Sequence, residues 1–186
     1  TAILISAGPL EQHSLHLPLG TDAMTASYFS KHIAEHLQRK KEDWNFVVLP
    51  PLFAGVDTLT YAGSIEVKAT ILRALLYASC SQFAKDGFKF IIGVSAHGGP
   101  RHNVVFEEVA SKMKWRHRTN MVVASARLLM DVLSGAFVEK LVSRLEKQGT
   151  PLSVEEKKGL EKDYHGGMLE TSIMMIVRPD LVRENY

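Results

Sequence analysis

Apolar and polar positions alternate between two periods along the chain. "AILISAG" (2–8) is an unbroken apolar run of strand length. From Thr21 the period lengthens to that of a helix. Thr21 is placed to cap it, Asp22 suits its positive start, and Tyr28, Phe29, Ile33 and Leu37 form one apolar stripe. The helix is expected to end near "QRKK". "FVVLPPL" (46–52) reads as a second strand stopped by two prolines. A loop with Gly55 and Gly63 leads into a long amphipathic helix over 64–87, capped by Ser64 and closed by Gly87. "FKFIIGVSA" (88–96) is almost wholly apolar, as a central parallel strand would be. A helix over 101–116 and a strand over 120–126 complete a β-α-β-α-β-α-β alternation. That order predicts an α/β fold: a three-layer sandwich with a mainly parallel central sheet flanked by helices.

Beyond the fourth strand the pattern weakens. Residues 128–149 read as a helix broken at Gly135, 150–164 as a charged surface connection or short helix, and 168–182 as a helix packed on the sheet. No repeat or linker divides the 186 residues, so one domain over 1–186 is expected.

Charge adds little. The formal net charge is +2 and no basic stripe appears, which disfavours a nucleic-acid partner. No run of 18 apolar residues suggests a membrane span, and no signal-peptide pattern is visible. Thr1 leads straight into the first strand without an initiator Met, as trimming upstream would leave it. The single Cys80 cannot form an internal disulfide, lies in a helical stretch and reads as core. A cytoplasmic, reducing setting is expected.

The candidate chemistry clusters in three loops. Ligands of open α/β sheets bind beyond the carboxyl ends of the strands. Glu11, His13 and Asp22 follow the first strand in "EQHSLHLPLGTD"; His97 follows the third in "SAHGGPRHN"; His165 and Glu170 lie in "HGGMLETS". Glu11 and His13 are two apart and point to the same side of an extended backbone. Carboxylates and imidazoles without a thiolate suit Zn²⁺, Mn²⁺ or Fe²⁺, and a shared carboxylate can bridge two such ions about 3.5–4 Å apart. His32, His36 and His117 read as helix-surface histidines, while His16 and His102 lie near enough to touch a substrate.

These segments resemble the creatininase family. "GPLEQHSLHLPLGTD" is similar to its first signature, "SAHGGPRHN" to its Asn-Gly-His-Gly-Gly-Asn segment, and "HGGMLETS" to its His-Ala-Gly-x-x-Glu-Thr-Ser segment. The chain departs from that pattern at Ser14 for Gly, at Ser95-Ala96 for Asn-Gly, at Pro100 for Asn and at Gly166 for Ala. Gly99 stands where creatininase itself has a glutamate. The chain is also shorter than typical members.

The resemblance implies a site of two divalent metal ions. Glu11 and His97 would hold one and His13 the other, with Asp22 bridging and Glu170 completing the set. His165 matches a proton-shuttling histidine. It also implies a hydrolase that cleaves a non-peptide C–N bond, of a cyclic amide or formamide, by metal-activated hydroxide. The substrate is expected to be a small molecule contacted by Gly98, Gly99 and His16, and the protein a homo-oligomer. Two other readings stand beside this one. The first is a binding or assembly module on the same fold. The second is a metal hydrolase for lactone, sugar-ring or phosphoester substrates.

Overall fold

The computed structural model describes residues 1–125, 130–131, 134–161, 163 and 165–184. They divide into two compact units, Thr1–Gln12 with Leu19–Ser125, and His13–Pro18 with Ala126–Tyr186.

The first unit is built on β1 (Ala2–Gly8), every residue of which is buried. Its neighbours are all parallel to it. β2 (Phe46–Val48) pairs with its first half and β3 (Leu52–Phe53) with its second. The strand expected over 46–52 is therefore two short strands. Pro50 and Pro51 lack the N–H that a continuous ladder needs, so the chain steps between two registers on β1. On the other side lies β4 (Phe90–Val94), and beyond it β5 (Asn120–Val123). The order β2-β1-β4-β5 makes a parallel sheet.

Three helices connect these strands: α1 (Thr21–Lys40), α2 (Ala69–Lys85) and α3 (Pro100–His117). Ile3, Ile5 and Ala7 face a core shared with Leu72, Leu76 and Cys80 of α2 and with Val105, Phe106, Val109 and Met113 of α3. Ala2, Leu4 and Ser6 alternate to the opposite face, where α1 packs on β1. Burial pushes the Cys80 thiol up to about 12.

Two helix starts differ from the sequence pattern. Gly20, not Thr21, is the N-cap of α1, and Thr21 is buried inside the first turn. α2 begins at Ala69, five residues after Ser64, because the intervening backbone is committed elsewhere. Ile65 N–H donates to the Leu10 carbonyl at 2.8 Å, and the Ser64 hydroxyl accepts the Gln12 N–H at 3.1 Å.

The second unit holds α4 (Ala136–Lys147), α5 (Val154–Glu161) and α6 (Met168–Val177), then a 3₁₀ turn over Pro179–Leu181. α4 starts directly after Gly135, where the break was expected; residues 128, 129, 132 and 133 of that expected helix lie outside the described residues, as does residue 126 of the expected fourth strand. The charged segment 150–164 is helical where a capping box starts it, although Lys162 and Tyr164 are outside the described residues. Ser153 N–H donates to Glu156 Oε2 at 2.7 Å, and Glu156 N–H to Ser153 Oγ at 3.1 Å. No helix among the described residues is long and apolar enough to cross a membrane.

Candidate metal centre

In the first unit three groups meet where β1 and β4 end and α1 begins. Glu11 lies just past the bridge of Leu10 to Ile65, with its N–H on the Leu19 carbonyl at 2.8 Å and Oε1 accepting the Leu59 N–H at 2.5 Å. Asp22 stands in the first turn of α1. His97 leaves β4, and Asn103 Nδ2 holds its turn by donating to the carbonyls of His97 and Gly99, each at 3.0 Å. Glu11, Asp22 and His97 are only 1%, 2% and 7% exposed. His97 Nδ1 lies 3.1 Å from Glu11 Oε2 and 3.1 Å from Asp22 Oδ2. Its other nitrogen, Nε2, donates to the Val56 carbonyl at 2.9 Å.

This geometry fits a divalent cation. One nitrogen and two carboxylates offer ligand atoms within 4.8 Å of one another. The Nε2–H bond to a backbone carbonyl leaves Nδ1 as the atom that would face a cation, the usual arrangement of a metal-binding histidine. Burial works against charge on His97, but the hydrogen bonds it donates to Asp22 and Glu11 outweigh it and raise its pKa to about 10. A cation taking Nδ1 must displace that proton, so uptake is coupled to pH.

His102 is fully buried, with its ring edge-on to His97 at 5.1 Å. Burial first, and then the charge of His97, lower its pKa to about 4. Its Nδ1 accepts the Val56 N–H at 3.4 Å, as a neutral ring does. It packs under His97 rather than opening to a ligand. Gly99 has an equally local reason to be glycine. A Cβ there would sit 2.5 Å from His97 Nε2 and 2.7 Å from the Val56 oxygen. Among the described residues nothing lies within 4 Å of the corresponding point on Gly98, so the open position of the pair is Gly98.

The second unit gathers the remaining candidates. His13 is buried, with Nε2 3.6 Å from Glu170 Oε1, and its ring stacks on that of His165 with centroids 4.2 Å apart. Glu170, in the first turn of α6, accepts the Gly166 N–H at 2.5 Å through its other oxygen. His16 is buried and bonded through Nε2 to Thr171 Oγ1 at 2.7 Å, while the Thr171 hydroxyl donates to the Gly167 carbonyl. Its carbonyl also accepts the Arg183 N–H at 2.9 Å. His32 and His36 lie exposed on α1, and His117 bonds Tyr77 at the end of α3.

Sequence reasoning missed the roles of Val56, Asp57, Leu59 and Thr171. Three of them act on the site's histidines and acids through backbone groups or a backbone-anchored hydroxyl, which no residue type advertises.

A family model described as creatinine amidohydrolase matches residues 1–186. The chain belongs to the creatininase family. Among its curated relatives is the mycofactocin precursor peptide peptidase of Mycobacterium ulcerans (strain Agy99), 26% identical over 97% of this chain and 60% of the relative. Solved creatininases share the fold. A mutant creatininase of Zn–Zn type superposes with a TM-score of 0.69 at 19% identity, covering 98% of this chain and 67% of that one. A creatininase with Mn gives 0.65 at 18% identity over the same shares. This creatininase-family chain thus spans about three fifths to two thirds of the length of these relatives.

Proposed function

We propose that this chain is a metal-dependent amidohydrolase that cleaves a C–N bond, with a cyclic amide or formamide as substrate. The observation that carries the reading is the approach of Glu11 Oε2 and Asp22 Oδ2 to within 3.1 Å of one nitrogen of His97. These three residues would hold one divalent cation of the Zn, Mn or Fe class. His13, with Glu170 beside it, supplies ligands of the same type for a second. When bound, such cations supply Lewis acidity and bring water deprotonation toward neutral pH.

The chain's own groups do the rest. Glu11 is oriented by the Leu59 N–H and His97 by the Val56 carbonyl, so both present fixed lone pairs. The resemblance gives His165, which stacks on His13, the role of handing a proton to the departing nitrogen, which leaves poorly as an amide anion. Gly98, unencumbered on its open side, offers its N–H to a developing oxyanion. His16, engaged with Thr171, supports the loop that carries His13.

A second substrate class has one specific observation in its favour: the curated relative is named a peptidase. A peptide C–N bond therefore belongs in the test. Purified protein is analysed for metal, then assayed on cyclic amides, formamides, short peptides, lactones and phosphoesters. Turnover of amides by metal-loaded protein supports the proposal. Absence of metal uptake, with no turnover of any class, supports the binding-module reading instead. Asp22→Asn is expected to lose most bound metal and most activity while folding normally. His165→Ala is expected to keep its metal and lose about 10²- to 10⁴-fold in turnover. Full metal content in the Asp22 variant would sink the ligand assignment.

A further inference from the structure

Asp57, Glu66 and Arg101 lie outside the proposed ligand set, yet their contacts converge on the peptide that holds His97. Asp57 has left-handed backbone, with φ of 65°, a strained conformation for a residue with a side chain. Its N–H donates to Glu66 Oε1 at 3.1 Å. One oxygen of its carboxylate accepts the Arg101 backbone N–H at 2.6 Å, and the other accepts Arg101 Nε–H. Arg101 also reaches Glu66 Oε1 at 3.4 Å.

Arg101 is the second residue of α3, and the N-cap of α3 is Gly99, which has no side chain to offer the open N–H groups of the first turn. Asp57 provides that cap from a distant segment of the chain. Val56 is its neighbour. The Val56 carbonyl accepts the hydrogen bond of His97 Nε2–H, and the Val56 N–H donates to Nδ1 of His102. The three parts meet at Gly99, where a Cβ would lie 2.8 Å from Asp57 Cβ and closer still to His97 and Val56.

We infer that Asp57 is a positioning residue for the metal centre: by tying its segment to the first turn of α3, it fixes the Val56 carbonyl and so decides which nitrogen of His97 faces Glu11 and Asp22. The inference rests on those three residues being metal ligands. An imidazole can carry its proton on either nitrogen, and the partner of the second nitrogen selects the tautomer. With the Val56 carbonyl held, Nδ1 is left for the cation. With it loose, His97 gains rotational freedom and the choice of nitrogen is lost. Disturbing such an outer partner of a metal ligand weakens metal binding about 10- to 100-fold.

The test measures Zn²⁺ affinity by competition with a chromophoric chelator, and the visible spectrum of the Co²⁺-loaded protein. Asp57→Ala is expected to bind Zn²⁺ about 10- to 100-fold more weakly and to change the Co²⁺ bands. Asp57→Asn keeps an acceptor for the Arg101 N–H and tolerates left-handed backbone, so it should recover most of the affinity. If Asp57→Ala does not fold, Arg101→Gln loosens the same clamp at a residue that is 68% exposed, and a measurable loss of affinity is again expected. Arg73→Gln breaks a surface pair with Glu108 elsewhere on the unit and should leave both readouts unchanged. Wild-type affinity and spectrum in Asp57→Ala, or in Arg101→Gln where that variant replaces it, would overturn the positioning role alone. A wild type that takes up no Zn²⁺ would overturn the metal reading and this inference together.

Discussion

Ser14 and Gly166 show how two departures from a family pattern answer each other. Ser14 stands where the family has glycine, and its φ is 57°, in the region that glycine occupies at no cost. Gly166 stands where the family has alanine; its φ is 63°, and a Cβ there would lie 2.7 Å from Ser14 Oγ. The serine hydroxyl fills the space that an alanine methyl would need. Gly166→Ala alone should therefore destabilise the chain by about 1–3 kcal/mol through overpacking and backbone strain. Adding Ser14→Gly should return part of that loss. Urea unfolding of the two single variants and the double variant measures the coupling, and strict additivity would show that the contact is unimportant.

The order and type of the elements were legible because their apolar periods are clean. β1 and β4 are continuous apolar runs, and α1 ends where charge and composition indicate. The errors fell where backbone hydrogen bonds chose between alternatives. Ser64 is a good capping residue by type, but its hydroxyl serves Gln12 and the helix starts later. Pro50 and Pro51 split one strand into two, since the missing donors count at each position of a ladder. How elements approach was also hidden. Gly8 ends β1 directly against the start of α1, and a Cβ there would lie 2.7 Å from Ala23 N and from Asp22 Cβ. Gly8→Ala must push α1 away from β1, carrying Asp22 with it. The expected result is a loss of more than about 1 kcal/mol in stability, with weaker Zn²⁺ binding than in wild type. Stability loss with unchanged Zn²⁺ affinity would mean that Asp22 is not placed by this contact.

At the scale of the whole molecule, acid stability turns on a histidine that the sequence placed beside the site but outside the expected ligand set. His102 has a folded pKa of about 4 against an ordinary value of 6.5. Below pH 6.5 the unfolded chain binds a proton that the folded chain refuses until about pH 4. The His102 contribution is thus complete above 6.5 and falls as pH drops through that window, by on the order of 3 kcal/mol. His97 adds no slope there: it is protonated in both states below 6.5, where its stabilisation is complete, and that stabilisation is lost only as pH rises from 6.5 toward about 10. Urea unfolding at pH 7 and pH 4.5 should show the drop in wild type and a smaller one in His102→Gln; equal drops would assign acid sensitivity elsewhere. The contrast with the proposed metal ligands is physical. Glu11, Asp22, His97 and His13 were visible because an acid or imidazole set among apolar and glycine residues is itself unusual. Asp57 sits in ordinary loop sequence, and His102, though near the motif histidine, shows its buried structural role only through tertiary contacts. Cys80 has a different consequence. It is the chain's single sulfhydryl, sealed between α2 and the sheet and held in its unreactive form. An alkylating reagent can reach it only when that packing transiently opens. The pace of its modification therefore serves as an internal clock for the breathing of the sheet and its helices, with no introduced probe.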